Sequence, residues 1–228
     1  NTFTGCTNGI GGIPDDDECR GADDAVEFAR QRAKIIAELV ALDADIIGLM
    51  EIENDGYSAE SALQDLVNGL NDALGAGTYA FINPDLANGI NALGTDYIRV
   101  AMLYKPAVVT PVGDPAVLNS GAVAQMINRY WHDAFVQMDD PTTLGDERRN
   151  RVPLAQTFSE NATHGKLTVV VNHLKSKGSS CADATTYLPA GDADLLDGQG
   201  NCNLTRSLAA QQQAAWLATD PTGSGDPD

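Results

Sequence analysis

The sequence predicts an α/β protein. Two stretches keep an apolar stripe of helical period, over residues 26–40 and 63–74. Between and after them come short runs of consecutive apolar residues bounded by turn residues, which is how strands buried on both faces read. Helices flanking buried strands imply layering around a shared core.

Taken in order, residues 1–22 read as a loop, with Gly9, Gly11, Gly12, Pro14 and the acidic run from Asp15 to Glu18. A helix follows, its stripe formed by Val26, Ala29, Ala33, Ile36, Ala37 and Val40, with Asp23 and Asp24 at its electropositive N-terminal end. Ile46–Met50 reads as a fully buried strand ending at Glu51. Leu63, Leu66, Val67, Leu70 and Leu74 mark a second helix that Gly75 stops. Strands are expected at Tyr79–Ile82, Ile98–Tyr104, Val108–Val112, Leu154–Phe158 and Leu167–Val171, and a last helix from about Thr205 to Leu217. After it comes only a Gly- and Pro-rich loop. A helix in such a fold should feed another core strand, so the chain is expected to be the N-terminal portion of a single domain over residues 1–228, with the C-terminal part missing.

Composition narrows the function classes. Hydrophobic residues at 43% suffice for a real core, and 20% charged residues fall short of the excess that keeps chains disordered. No apolar run approaches the roughly 20 residues of a membrane span, so no membrane partner is expected. A net charge of −18 argues against a passive nucleic-acid coat, which works by neutralising phosphates with Lys and Arg. It leaves room for an enzyme that meets phosphate through a divalent metal. The four cysteines fall into two close pairs, Cys6 with Cys19 and Cys181 with Cys202. No C-x-x-C occurs and no histidine lies near either pair, so two disulfides and an oxidising compartment are expected, although four cysteines allow three connectivities.

Two strand ends carry candidate chemistry. Glu51 closes a hydrophobic run, and carboxylates at the end of a parallel-type sheet sit at the crevice where ligands bind. Asn172 and His173 follow Val169–Val171 and precede Lys175 and Lys177; a histidine there suits proton transfer or an oxyanion. The window 148–177 holds six of the chain's 14 basic residues (Arg148, Arg149, Arg151, Lys166, Lys175, Lys177) and one acid, Glu160. A basic stripe in an acidic protein points to an anionic substrate such as phosphate. Asp192, Asp194 and Asp197 depart from the EF-hand spacing and read as a solvated acidic loop rather than a calcium site.

Leu49-Met50-Glu51, then Ile98-Arg99-Val100-Ala101-Met102-Leu103-Tyr104-Lys105-Pro106, then Asn172-His173-Leu174-Lys175-Ser176-Lys177 occur in this order. Together they resemble the endonuclease/exonuclease/phosphatase superfamily, and within it the secreted bacterial extracellular nucleases. Arg20–Asp23, Phe28–Ile35 and Asp197-Gly198-Gln199-Gly200 are similar to segments of those nucleases. The resemblance implies part of a four-layered α/β sandwich of the deoxyribonuclease I-like type that hydrolyses phosphodiesters with a divalent metal, Mg2+ first and Mn2+ or Ca2+ as alternatives. It implies metal binding for Glu51, contact of His173 with the scissile phosphate, an orienting role for Asn172 beside it, and for Asp96 the carboxylate that orients His173. Arg151, Lys175, Lys177 and Arg99 are the implied phosphate-binding residues. The expected partner is nucleic acid, DNA with RNA as the alternative, and the expected form a monomer, secreted or periplasmic. The family's Gly-Asp-x-Asn and Ser-Asp-His motifs are absent from this sequence, so this chain alone is expected to be inactive. Alternatives are a phosphatase or phospholipid phosphodiesterase of the same fold, or a secreted non-catalytic binding module.

Overall fold

The computed structural model describes residues 21–22, 24–85, 93–94, 96–118, 150–178, 180–181 and 192–226. The expected N-terminal loop, the Cys6–Cys19 bridge, Asp23, Arg148 and Arg149 lie outside the described residues.

Helix α1 (Ala25–Leu42) begins where the Asp24 carboxylate accepts the Glu27 N–H at 2.8 Å, a side-chain cap of the kind that replaces a missing intrahelical partner. It ends at Asp43, which turns left-handed. Lys105 donates to the Asp43 carbonyl at 2.7 Å and its carboxylate at 2.6 Å, placing a cation at the negative end of the helix. The buried side of α1 differs from the expected stripe. Ile36, Leu39 and Val40 pack inward, whereas Val26 is 80% exposed. Helix α2 (Ala62–Leu74) is capped by Ser61 and buries Leu63, Leu66, Val67 and Leu70, the spacing of one helical face. The two helices approach closely at Gly69, where a Cβ would come within 2.3 Å of Ile36 Cδ1, and Arg32 bridges them to Asp65 at 2.7 Å.

Six strands complete the described fold: β1 (Ile46–Glu53), β2 (Ala80–Phe81), β3 (Ile98–Tyr104), β4 (Val109–Val117), β5 (Leu154–Glu160) and β6 (Lys166–Val171). They form two three-stranded sheets, in the orders β1-β3-β2 and β4-β5-β6. Every pairing is antiparallel, which corrects the parallel-type sheet expected around Glu51. Strand β1 is also only partly buried, Ile47 being its one buried residue, rather than fully. Strand β3 is buried on both faces, as its apolar run Val100–Leu103 requires.

Alternation along β3 builds the layers. Val100 and Met102 face the second sheet, meeting Val109, Val117, Leu154, Phe158 and Val171. Ala101 and Leu103 face the other way, under Leu39 of α1 and Leu63, Val67 and Leu70 of α2. On the far side of the second sheet, Ala116 and Ala155 pack against Ala209 and Trp216 of helix α3 (Asn203–Leu217). The order is helices, sheet, sheet, helix: an α/β fold in four layers.

The described part of the Gly- and Pro-rich segment after α3 is bonded to the second sheet. Asp114 N donates to the Thr222 carbonyl at 2.8 Å, and Thr222 Oγ1 lies 2.7 Å from Thr157 Oγ1. Thr222 is buried against the second sheet, at a point where Gly113 (φ +69°) leaves room that a Cβ, 1.9 Å from the Thr222 oxygen, would fill.

Candidate functional site

Glu51 owes its position to a bulge. Ile47 and Leu49 pack toward the helices, so strict alternation would send Glu51 there too. The pairing with β3 instead slips between Leu49 and Ile52, and Glu51 takes a left-handed φ of +60°. The extra residue returns Ile52 to the helix side and releases Glu51 to the rim, with its side chain 68% exposed. There Oε1 stands 3.6 Å from His173 Nε2, at the end of a strand in the other sheet.

His173 lies just beyond β6, and its carbonyl accepts the Arg151 N–H at 3.3 Å, continuing the β5–β6 pairing past Leu154 and Val171. The Arg151 guanidinium then reaches two ways. Nη2 meets Asp96 Oδ2 at 2.8 Å, and Nη1 lies 3.4 Å from His173 Nε2. The result is a continuous polar line, Asp96–Arg151–His173–Glu51, across the rims of both sheets. A guanidinium only donates, so this contact is a hydrogen bond in the tautomer that leaves the Nε2 lone pair free. Burial, and then the Arg151 charge, hold the His173 pKa below its ordinary value against the opposing pull of Glu51 and Asp96. Nδ1 itself is buried with no hydrogen-bond partner among the described residues, as are Arg151 Nε and Asn172 Oδ1.

The structure thus brings together Glu51, Asp96, Arg151 and His173, with Asn172 adjacent. It alters one expected contact, because Asp96 is bonded to Arg151, which stands between it and the imidazole. Lys175 and Lys177 follow on a pinned segment: Lys175 N donates to Asn150 Oδ1 at 2.9 Å, and the Lys177 carbonyl accepts from Asn201 Nδ2 at 3.2 Å. Arg99 is not placed to meet a substrate phosphate. It is 1% exposed on the helix side of β3, bonded to the Gly56 carbonyl at 2.6 Å and lying 4.1 Å over the Tyr57 ring, whose hydroxyl burial pushes up to about 12. The basic stripe also breaks up. Lys166 opens β6, about 20 Å along the chain from His173 at the usual strand rise, and its ammonium is tied to the Ser224 carbonyl at 2.8 Å.

Three residues escaped the sequence reading. Asn54, 2% exposed, binds the turn that carries Asp96. Asn150, fully buried, joins the Lys175 segment to the Thr205 carbonyl of α3. Arg206 grips the carbonyls of Lys175, Gln199 and Asn201. Each acts on backbone far away in sequence, and no local pattern announces that. The acidic loop is occupied by its own backbone. Asp192 accepts Leu204 N and Thr205 N and so caps α3, which the Cys181–Cys202 disulfide also anchors, while Asp194 and Asp197 close local turns. Among the described residues no group of three or more His, Cys, Asp or Glu is arranged to hold a metal ion, and no helix is long and apolar enough to cross a membrane.

No protein-family model and no curated protein matches the sequence. Solved structures align over most of the chain. ANGEL2, a 2',3'-cyclic phosphatase, is 17% identical over 82% of this chain and 36% of its own, with a TM-score of 0.41. The human Nocturnin catalytic domain with bound sulfate is 17% identical over 82% and 53%, at 0.37. An endonuclease/exonuclease/phosphatase family protein from Bacteroides thetaiotaomicron is 18% identical over 67% and 46%, at 0.36. The chain therefore spans about a third to a half of the length of these structures. At such TM-scores the likenesses are distant, and the α/β assignment rests on the layer order of the chain itself.

Proposed function

We propose that this chain is part of a single-domain phosphoester hydrolase of the endonuclease/exonuclease/phosphatase type, a secreted nuclease acting on DNA. The observation that carries the reading is the convergence of Glu51, His173, Arg151 and Asp96, from four separate segments, on the shared rim of two sheets. The Cys181–Cys202 disulfide supports an oxidising compartment.

Glu51 fits a divalent cation of the Mg2+ kind, which takes one or two carboxylates and completes its shell with water and substrate oxygens. Its carboxylate is exposed, and a neutral His173 beside it leaves its charge available. Such a cation supplies polarisation of a phosphoryl oxygen. The chain's own residues do the rest of the recognition. Arg151 offers a guanidinium, paired with Asp96, whose charge favours a phosphate at the rim. His173 brings its Nε2 to the rim beside Glu51, and Lys175 and Lys177 follow it along the same segment.

One observation favours a second reading, a phospholipid phosphodiesterase. Leu195 and Leu196, 80% and 90% exposed, stand on a loop braced to the Lys177 segment through Asn201, where an apolar tip would suit lipid better than DNA. Turnover of plasmid DNA against phosphatidylcholine vesicles separates the two.

Calorimetric titration with Mg2+ or Mn2+ tests the site itself. Binding is expected, weakened at least about tenfold by Glu51→Ala, in line with the loss of a metal ligand; unchanged affinity in Glu51→Ala would remove the metal reading. Because Gly-Asp-x-Asn and Ser-Asp-His are absent, this chain by itself is expected to nick plasmid DNA slowly or not at all.

A further inference from the structure

We infer that Asn54 is a positioning residue of this site, the tether that sets Asp96 against Arg151; the inference rests on the reading above. Asn54 stands three residues after Glu51, immediately beyond the end of β1. Its backbone N–H donates to the Tyr97 carbonyl at 2.9 Å, extending the β1–β3 pairing one step past Glu53 and Ile98. Its side chain is spent entirely on the turn that precedes β3. Nδ2 faces the carbonyls of Asp96 at 2.9 Å, Leu93 at 3.0 Å and Gly94 at 3.4 Å, and Oδ1 accepts the Leu93 N–H at 3.1 Å. One buried amide thus satisfies backbone groups that would otherwise be orphaned, and leaving them unpaired would be costly.

The consequence lies at the rim. Asp96 makes its ion pair with Arg151 from the very turn that Asn54 holds, and Arg151 in turn faces His173. The backbone of the same residue extends the β1–β3 pairing just past the bulge that turns Glu51 outward, so one residue joins the strand that carries Glu51 to the turn that carries Asp96. An aspartate at position 54 would keep the acceptor for Leu93 N and replace the donor by a charge facing three carbonyls.

Two measurements test this. In the protein expressed from its full reading frame, Asn54→Ala should lower kcat for phosphodiester cleavage roughly 10- to 100-fold, the usual effect of losing an outer supporting contact, with KM changed less than about threefold. Added to Asp96→Ala it should cost nothing further, since both remove one contact; losses that multiply across the two substitutions would overturn the inference. Independently of activity, the Arg151 Nε–H resonance of this chain should shift in Asn54→Ala in the direction in which Asp96→Ala shifts it. A resonance that moves in Asp96→Ala and stays put in Asn54→Ala would equally overturn it. Asn54→Ser, which retains one hydroxyl donor, gives the same readings if the alanine variant does not fold. Absence of cleavage by every form, with the shift intact, would sink the hydrolase reading and leave the tether standing.

Discussion

At the scale of single residues, the titration of His173 is the most exposed consequence of the site. Burial and Arg151 lower its pKa in the folded, metal-free chain from the ordinary 6.5, while Glu51 and Asp96 pull it back up. A folded-state value below the unfolded one means the unfolded chain binds the proton more readily. The stability linked to this group is therefore complete above pH 6.5 and is lost as pH falls from there through the folded value. The expected His173 Cε1–H titration midpoint lies below 6.5. Arg151→Met should raise it and Glu51→Gln should lower it further. Shifts of the same sign in the two variants would contradict the geometry, because the two neighbours carry opposite charge.

At the scale of elements, the bulge in β1 decides what Glu51 can do. A non-glycine residue held left-handed costs about 1–2 kcal/mol, so the strand gives up stability to turn one carboxylate to the rim. Glu51→Gly should recover about 1 kcal/mol of this in urea denaturation while abolishing divalent-metal binding, the trade expected where backbone strain serves a site. Glu51→Gln, which keeps the side-chain size and the left-handed strain, should lose metal binding with little change in stability. If Glu51→Gly were less stable than the parent chain, the φ of +60° would carry no strain worth relieving.

For the molecule as a whole, the outer layer under β4-β5-β6 is the thin one. Helix α3 presents Ala209 and Trp216 as its buried apolar residues, and its N-terminus depends on the Asp192 carboxylate and on Cys202. The Cys181–Cys202 bridge spans 21 residues, for which chain entropy gives about 3 kcal/mol. Reduction should lower the denaturation midpoint accordingly and release first the amides of Leu204 and Thr205, read by hydrogen exchange. The core between the two sheets should stay protected, since it forms a cluster separate from the one that holds the bridge.

The element list was legible because periodicity survives without tertiary context. The stripe of α2, the apolar run of β3 and the strand before His173 were each readable from spacing alone. Glu51 and His173 stand where a hydrophobic run meets polar residues, whereas Arg151 is marked by the basic stripe and by the family resemblance. Direction and partnership were not legible. Nothing in the residues of β1 distinguishes an antiparallel strand with a bulge from a parallel one without, because the bulge is defined by pairing with β3. Arg99 and Lys166 read as free cations, since a sequence lists charges without saying which lie under a tyrosine ring or against a carbonyl. No local pattern marks Asn54 or Asn150, which are supports only because a turn some 40 positions away folds onto one and α3 onto the other. Local chemistry is written in the order of residues; the burial that gives a polar side chain its task arises only when distant segments meet.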